Sequence, residues 1–207
     1  MVKFLVNKGG ANIYAKIGDD VKFIHVATEM GHINVVEFFL GKGISIDAND
    51  GRGYTPLHYA ARKGNLKMVK FLVGKGAGID KKNFHDVQPI HIAVREDHED
   101  IVEYFLTEDT SLINSIDRLG YTPLHYAARN NNLGMVRLLV DRGADINAEN
   151  TSGKKPIDIA SDASIIDFLK SKGGNTTDLK DVHVKKIIMV DYISLDKFNS
   201  KSSDDMA

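Results

Sequence analysis

Cysteine is absent from all 207 residues, which excludes disulfides and thiolate metal sites and suits a reducing compartment. An excess of either charge is also lacking. Lys and Arg number 27 against 28 Asp and Glu, so no global basic field draws in nucleic acid or an anionic membrane. No apolar run approaches the roughly 20 residues needed to span a bilayer. The opening Met1-Val-Lys-Phe-Leu-Val6 is too short for a signal-peptide core and is broken by Lys3. Catalytic signatures are missing as well, with no Gly-x-Ser-x-Gly, His-Glu-x-x-His or Walker pattern. The chain is therefore expected to be no enzyme and to work in a cytoplasm, with delivery into a host-cell cytoplasm as the second reading.

What the sequence has in place of these is repetition. TPLHYAA stands at Thr55 to Ala61 and again at Thr122 to Ala128. Weaker copies share its spacing: His25, His58, His91 and His125, then Asp158, follow one another at steps of 33, 33, 34 and 33 residues. Such a period marks a stack of units, each burying its apolar face only against the next.

The unit 51–82 is the clearest. Thr55 is a favourable N-cap, and Pro56 stands at the first helical position, where its missing N–H costs nothing. Leu57, Ala60 and Ala61 make a short apolar helix that ends near Lys63-Gly64, the alanines allowing close approach of a neighbour. Leu66 to Val73 has helical periodicity, and Gly74 and Gly76 supply its C-cap. The same plan fits 18–50, 83–116 and 117–150. In the second helices Glu37, Lys70, Glu103 and Arg137 interrupt the apolar pairs at one place. The 83–116 unit has Asp86 where its neighbours have glycine and ends without a capping glycine, so its loops should be the least regular.

On the TPLHYAA copies and the 33-residue period, the chain resembles the ankyrin-repeat family over residues 1–173. The resemblance implies an all-α ankyrin-repeat solenoid of stacked helix–turn–helix units with projecting β-hairpin loops. It also implies protein binding through a concave face of hairpin tips and first helices, without catalysis. The expected organisation is a half unit 1–17, full units 18–50, 51–82, 83–116 and 117–150, a shortened cap unit 151–173 and a tail 174–207. Met1–Val6 copies a second helix with no first helix before it. Val2, Phe4 and Leu5 are accordingly expected to lie uncovered and to favour self-association, the alternative being a monomer. In the cap unit Asp158 replaces the histidine, and the turn between helices is shorter.

The repeat histidines resemble the family position that hydrogen-bonds within the turn. Consecutive copies lie about 10 Å apart by helix spacing, too far to share a metal, and no metal is expected. Gly74-Lys-Gly-Ala-Gly78 follows a helix where a dinucleotide loop follows a strand, so no cofactor is expected either. Asn147 resembles the hairpin asparagine that some hydroxylases modify, although closing the hairpin accounts for it more simply.

Arginine carries the binding expectation. Of only seven arginines, Arg62, Arg95 and Arg129 share one position at the exposed end of a first helix, and Arg52 and Arg118 stand on hairpin tips. Tyr54, Val87 and Tyr121 share a position before the cap that is expected to be exposed. With Lys63, His85 and Asn130 they form a partner-binding set suited to an acidic and apolar protein segment. The alternative function is a targeting or structural repeat segment of a larger toxin or effector. In the tail, partial order is expected over 178–198 and disorder after Ser200.

Overall fold

The computed structural model describes residues 12–177 other than Tyr14. The expected leading helix at Met1–Val6 and the tail beyond Thr177 lie outside the described residues.

Strands β1 (Lys16–Ile17) and β2 (Val21–Lys22) pair antiparallel, with Ile17 opposite Val21. They lead into α1 (Phe23–Glu29) and α2 (Ile33–Gly41). The plan then repeats as α3 (Pro56–Arg62) with α4 (Leu66–Gly74), and α5 (Pro89–Arg95) with α6 (Glu99–Glu108). It closes with α7 (Pro123–Arg129) and α8 (Leu133–Asp141), then α9 (Pro156–Ile159) and α10 (Ala163–Ser171). Each first helix packs on the first helix of the next unit, and each second helix packs behind its own first helix. The all-α repeat solenoid is thus observed.

Local chemistry explains the boundaries. All four prolines of the chain, Pro56, Pro89, Pro123 and Pro156, open first helices. Asn65 and Asn132 cap second helices by accepting the N–H of Met68 and of Met135, each at 3.0 Å. Ala60, Ala61, Ala93 and Ala127 are wholly buried between first helices, where nothing larger would let the backbones approach. Leu72, Phe105 and Leu139 fill the layer behind them. In the 83–116 unit, a 3₁₀ helix (Thr110–Asn114) replaces the missing glycine cap. It buries Leu112 and Ile113, so the longer loop is a packed element.

Hairpin tips need one residue with positive φ. Gly53, Gly120 and Gly153 supply it at 83°, 74° and 72°, and Asp86 adopts 58° at the same place. A Cβ on Gly120 would lie 2.9 Å from the Thr151 nitrogen and 3.0 Å from the Asn150 Cα. Gly120→Ala is therefore expected to cost about 2–3 kcal/mol, read as a lower urea midpoint at unchanged m-value.

Candidate protein-interaction face

Four successive hairpin tips are each held by one Asx side chain. Asp50 Oδ1 accepts the N–H groups of Arg52 (2.9 Å) and Tyr54 (2.8 Å), and Asp117 Oδ1 accepts those of Leu119 and Tyr121, both at 2.8 Å. Asn83 does the same for His85 and Val87, and Asn150 for Ser152 and Lys154. Successive tips are then joined through their backbones. Phe84 N donates to Arg52 O at 3.1 Å, Arg118 N to His85 O at 2.9 Å, and Thr151 N to Leu119 O at 3.0 Å. The tips therefore form one hydrogen-bonded edge along the stack.

The two aspartates do more than the two asparagines. Their second oxygens accept Tyr59 OH at 2.8 Å and Tyr126 OH at 2.7 Å. Burial, and then the adjoining carboxylate, holds both phenols well above the usual tyrosine range. Where asparagine stands, Ile92 and Ile159 replace the tyrosine, since an amide nitrogen cannot accept a hydroxyl proton.

The histidines occupy the wall below the tips. Nδ1 of His25, His58, His91 and His125 accepts the N–H of Lys22, Thr55, Gln88 and Thr122 at 3.0–3.1 Å. An Nδ1 that accepts carries no proton, so the proton sits on Nε2. Nε2 donates it to the carbonyl of Ala48 (2.7 Å), Val87, Ser115 and Lys154 (3.0 Å each). Both ring nitrogens are thereby engaged with backbone, and these histidines are spent on joining units. Burial outweighs those hydrogen bonds and the nearby Asp50 and Asp117, pushing His58 and His91 down to about 4. His25 and His125 are lowered for the same reason.

Asp158 substitutes for the fifth histidine with reversed polarity. It accepts Lys155 N at 2.9 Å, as a histidine would. In place of donating onward, it also accepts the Thr177 N–H at 3.0 Å. Asn147 receives the Asn175 N–H on its Oδ1 and gives its amide to the Gly173 carbonyl, so its side chain is a structural tie. Residues 174–177, assigned to the tail by the sequence, are therefore hydrogen-bonded onto the last unit.

The sequence-expected binding residues divide into three groups. Arg62, Lys63, Arg95, Arg129 and Asn130 lie at first-helix ends, with Asn130 Nδ2 donating to the Arg95 carbonyl at 2.8 Å. Arg52, His85 and Arg118 stand on the tips. Tyr54, Val87 and Tyr121 correct the expectation of exposure. Tyr54 is half-buried, and Val87 and Tyr121 are only 9% and 7% exposed. Each sits in the crease under its tip; Tyr121 lies against the rings of His125 and Tyr126 at 5.4 and 5.8 Å.

The arginines are also paired within the chain. Arg62 and Lys63 share Glu29 at 3.1 and 3.2 Å, and Arg52 meets Asp19 at 2.9 Å. Arg95 meets Glu96 at 3.1 Å, and Arg118 approaches Asp86 at 3.8 Å. Glu29 is the equivalent of Arg62 one unit earlier, so the row reads Glu29, Arg62, Arg95, Arg129. Sequence reasoning missed the exposed apolar groups. Phe84 is 56% exposed on a tip and Met30 66% exposed beside Glu29. Both were readable from register, because they align with Arg118 and Lys63.

A model of ankyrin repeats (3 copies) matches residues 1–83 and 82–150. The chain belongs to the ankyrin-repeat family. Among similar proteins, α-latrocrustotoxin-Lt1a of Latrodectus tredecimguttatus is 36% identical over 74 residues, 36% of this chain and 5% of the toxin. Ankyrin repeat protein OPG189 of monkeypox virus is 48% identical over 44 residues, covering 21% and 8%. Human ankyrin repeat and SOCS box protein 5 is 48% identical over 46 residues, covering 22% and 14%. The matched stretch is thus a small part of each relative. Ankyrin repeats generally mediate protein–protein interaction and are generally not enzymes. No helix among the described residues is long and apolar enough to cross a membrane.

Proposed function

We propose that this chain binds a partner protein through the face made by its hairpin tips and first-helix ends, and that the partner presents an acidic and apolar segment. The observation that carries the reading is the continuity of that face. The tips are joined backbone to backbone, and arginines stand at the ends of three successive first helices. A surface already held in place loses little conformational entropy on binding. Its arginines are engaged with Glu29, Glu96, Asp19 and Asp86, so an acidic partner exchanges one carboxylate for another. Specificity then comes from geometry and from Phe84 and Met30 more than from charge alone.

Capture from a candidate host lysate by wild type and by Arg62→Glu/Arg95→Glu/Arg129→Glu tests the reading. Exposed pairs of this kind contribute about 0–1 kcal/mol each, so the variant should still melt cooperatively. Proteins retained by wild type should be lost by the variant. Identical capture by both would remove the arginine row from the binding face. A second reading, a repeat segment within a larger toxin or effector, draws support from the α-latrocrustotoxin match, which covers only 5% of that protein.

A further inference from the structure

The net charge of −1 conceals a strong internal alternation. Residues 51–82 hold eight Lys and Arg against Asp80 alone, a balance of +7. Residues 83–116 hold eight Asp and Glu against Arg95 alone, a balance of −7. These two units are adjacent at the centre of the stack.

The opposed charges lie on equivalent faces of neighbouring second helices. On α4 the exposed row is Lys67, Lys70 and half-buried Phe71; on α6 it is Asp100, Glu103 and half-buried Tyr104. The spacing i, i+3, i+4 puts each trio on one helix face. Lys70 Nζ rests 5.5 Å from the Tyr104 ring centroid, which shows the two rows side by side. Lys67, Lys70 and Asp100 form no ion pair with any described residue, whereas Glu103 is reached by Arg142 at 2.8 Å. Each row is thus a band of one sign with an aromatic centre.

We infer that this second-helix face pairs with the same face of a second copy of the chain. A two-fold axis lying in the interface plane, parallel to α4 and α6 and midway between them, lays α4 of one copy parallel on α6 of the other. Lys70 then meets Glu103, and Phe71 meets Tyr104, twice over. An isologous contact requires a self-complementary patch, and the adjacent rows Lys67 with Lys70 and Asp100 with Glu103 satisfy that requirement in this register. A two-fold axis running along the stack would instead lay each helix antiparallel on its own copy, where like charges oppose each other. The face is distinct from the tips and first-helix ends, so the pairing presents two binding faces at once. Two helices of nine and ten residues make a small contact, well below the roughly 800 Å² per partner of stable complexes. The association is accordingly weak and governed by ionic strength.

Sedimentation equilibrium of the full chain tests this. Wild type should self-associate at about 0.01 M salt, where the screening length is ~30 Å, and dissociate near 1 M, where it is ~3 Å. Lys67→Glu/Lys70→Glu and Asp100→Lys/Glu103→Lys should each weaken association at least about tenfold, because each leaves two bands of one sign. The variant carrying all four changes exchanges the bands and should associate again as wild type does. All four positions are exposed, and cooperative melting of each variant confirms folding. A wild type monomeric at low salt overturns the inference. So does association that ignores salt and both double reversals, the result expected of an apolar contact elsewhere, such as Val2, Phe4 and Leu5.

Discussion

Lowering the pH from 6.5 towards 4 is expected to remove most of the stability of this protein. His58 and His91 are neutral in the folded chain with values near 4, against 6.5 when exposed. Between those limits the unfolded chain binds the protons and the folded chain does not. Stability is therefore fully present above 6.5 and falls as the pH drops through the window. Each histidine accounts for about 3 kcal/mol at full titration, since every tenfold loss of proton affinity on folding is worth ~1.4 kcal/mol. Against a total of roughly 5–15 kcal/mol, that brings the acid midpoint above the range where ordinary carboxylates titrate. The cause is visible in the bonding. A proton added to Nδ1 would face the N–H of Thr55 or Gln88, which already points at that nitrogen. Asp50 and His25 near His58, and Asp117 and Lys82 near His91, modulate the values without reversing the burial effect. Urea denaturation at half-unit intervals should show a slope of at least about 2.4 kcal/mol per pH unit near 5. A flat profile between 6.5 and 4.5 would mean that these rings accept protons without breaking the joints.

The second large effect belongs to Asp117. Its carboxylate, in a residue only 8% exposed, accepts three hydrogen bonds, from Leu119 N, Tyr121 N and Tyr126 OH. Asp117→Ala strands two backbone donors and a buried phenol, and should cost about 3–5 kcal/mol. Asp117→Asn keeps the oxygen that closes the tip and loses only the acceptor for Tyr126, so about 1–2 kcal/mol is expected. Asn150→Ala, which removes two bonds and no tyrosine partner, should fall between them. Guanidinium melts of the three variants give the order. If Asp117→Ala lies within about 1 kcal/mol of wild type, the Asx side chain is not what closes the tip.

Much of the fold was legible because its determinants are local. Prolines at the starts of first helices, asparagines before second helices and glycines in the tips act within four residues of where they stand. The α3 and α4 boundaries accordingly fall where the spacing placed them. The loop of the 83–116 unit was legible as irregular, but its 3₁₀ turn was not. That turn depends on a place for Leu112 and Ile113 in the layer between helices. The candidate face was legible by position and partly misread by exposure. Tyr54, Val87 and Tyr121 precede the cap, where spacing alone leaves them open. Folding back onto the first helix covers them: Tyr54 lies 5.4 Å from the His58 ring and Tyr121 5.4 Å from the His125 ring, while the Val87 carbonyl accepts from His58 of the preceding unit. Arginine positions were readable from the period. Their carboxylate partners were less evident, because Glu29 and Asp19 lie 33 residues before Arg62 and Arg52.

By itself the amino-acid sequence determined the period, the helix pair in each unit, the family and the register of every equivalent position. Those follow from hydrophobic spacing and capping chemistry, which need no neighbour. Only the tertiary structure decided which side chains the stack covers, which cations meet acids of the preceding unit, and how Asp158 takes Thr177 where a histidine would have given a proton onward. The reason is physical: in a solenoid each such contact joins residues a full unit or most of one apart. Its existence depends on distances set by packing, which no local pattern encodes.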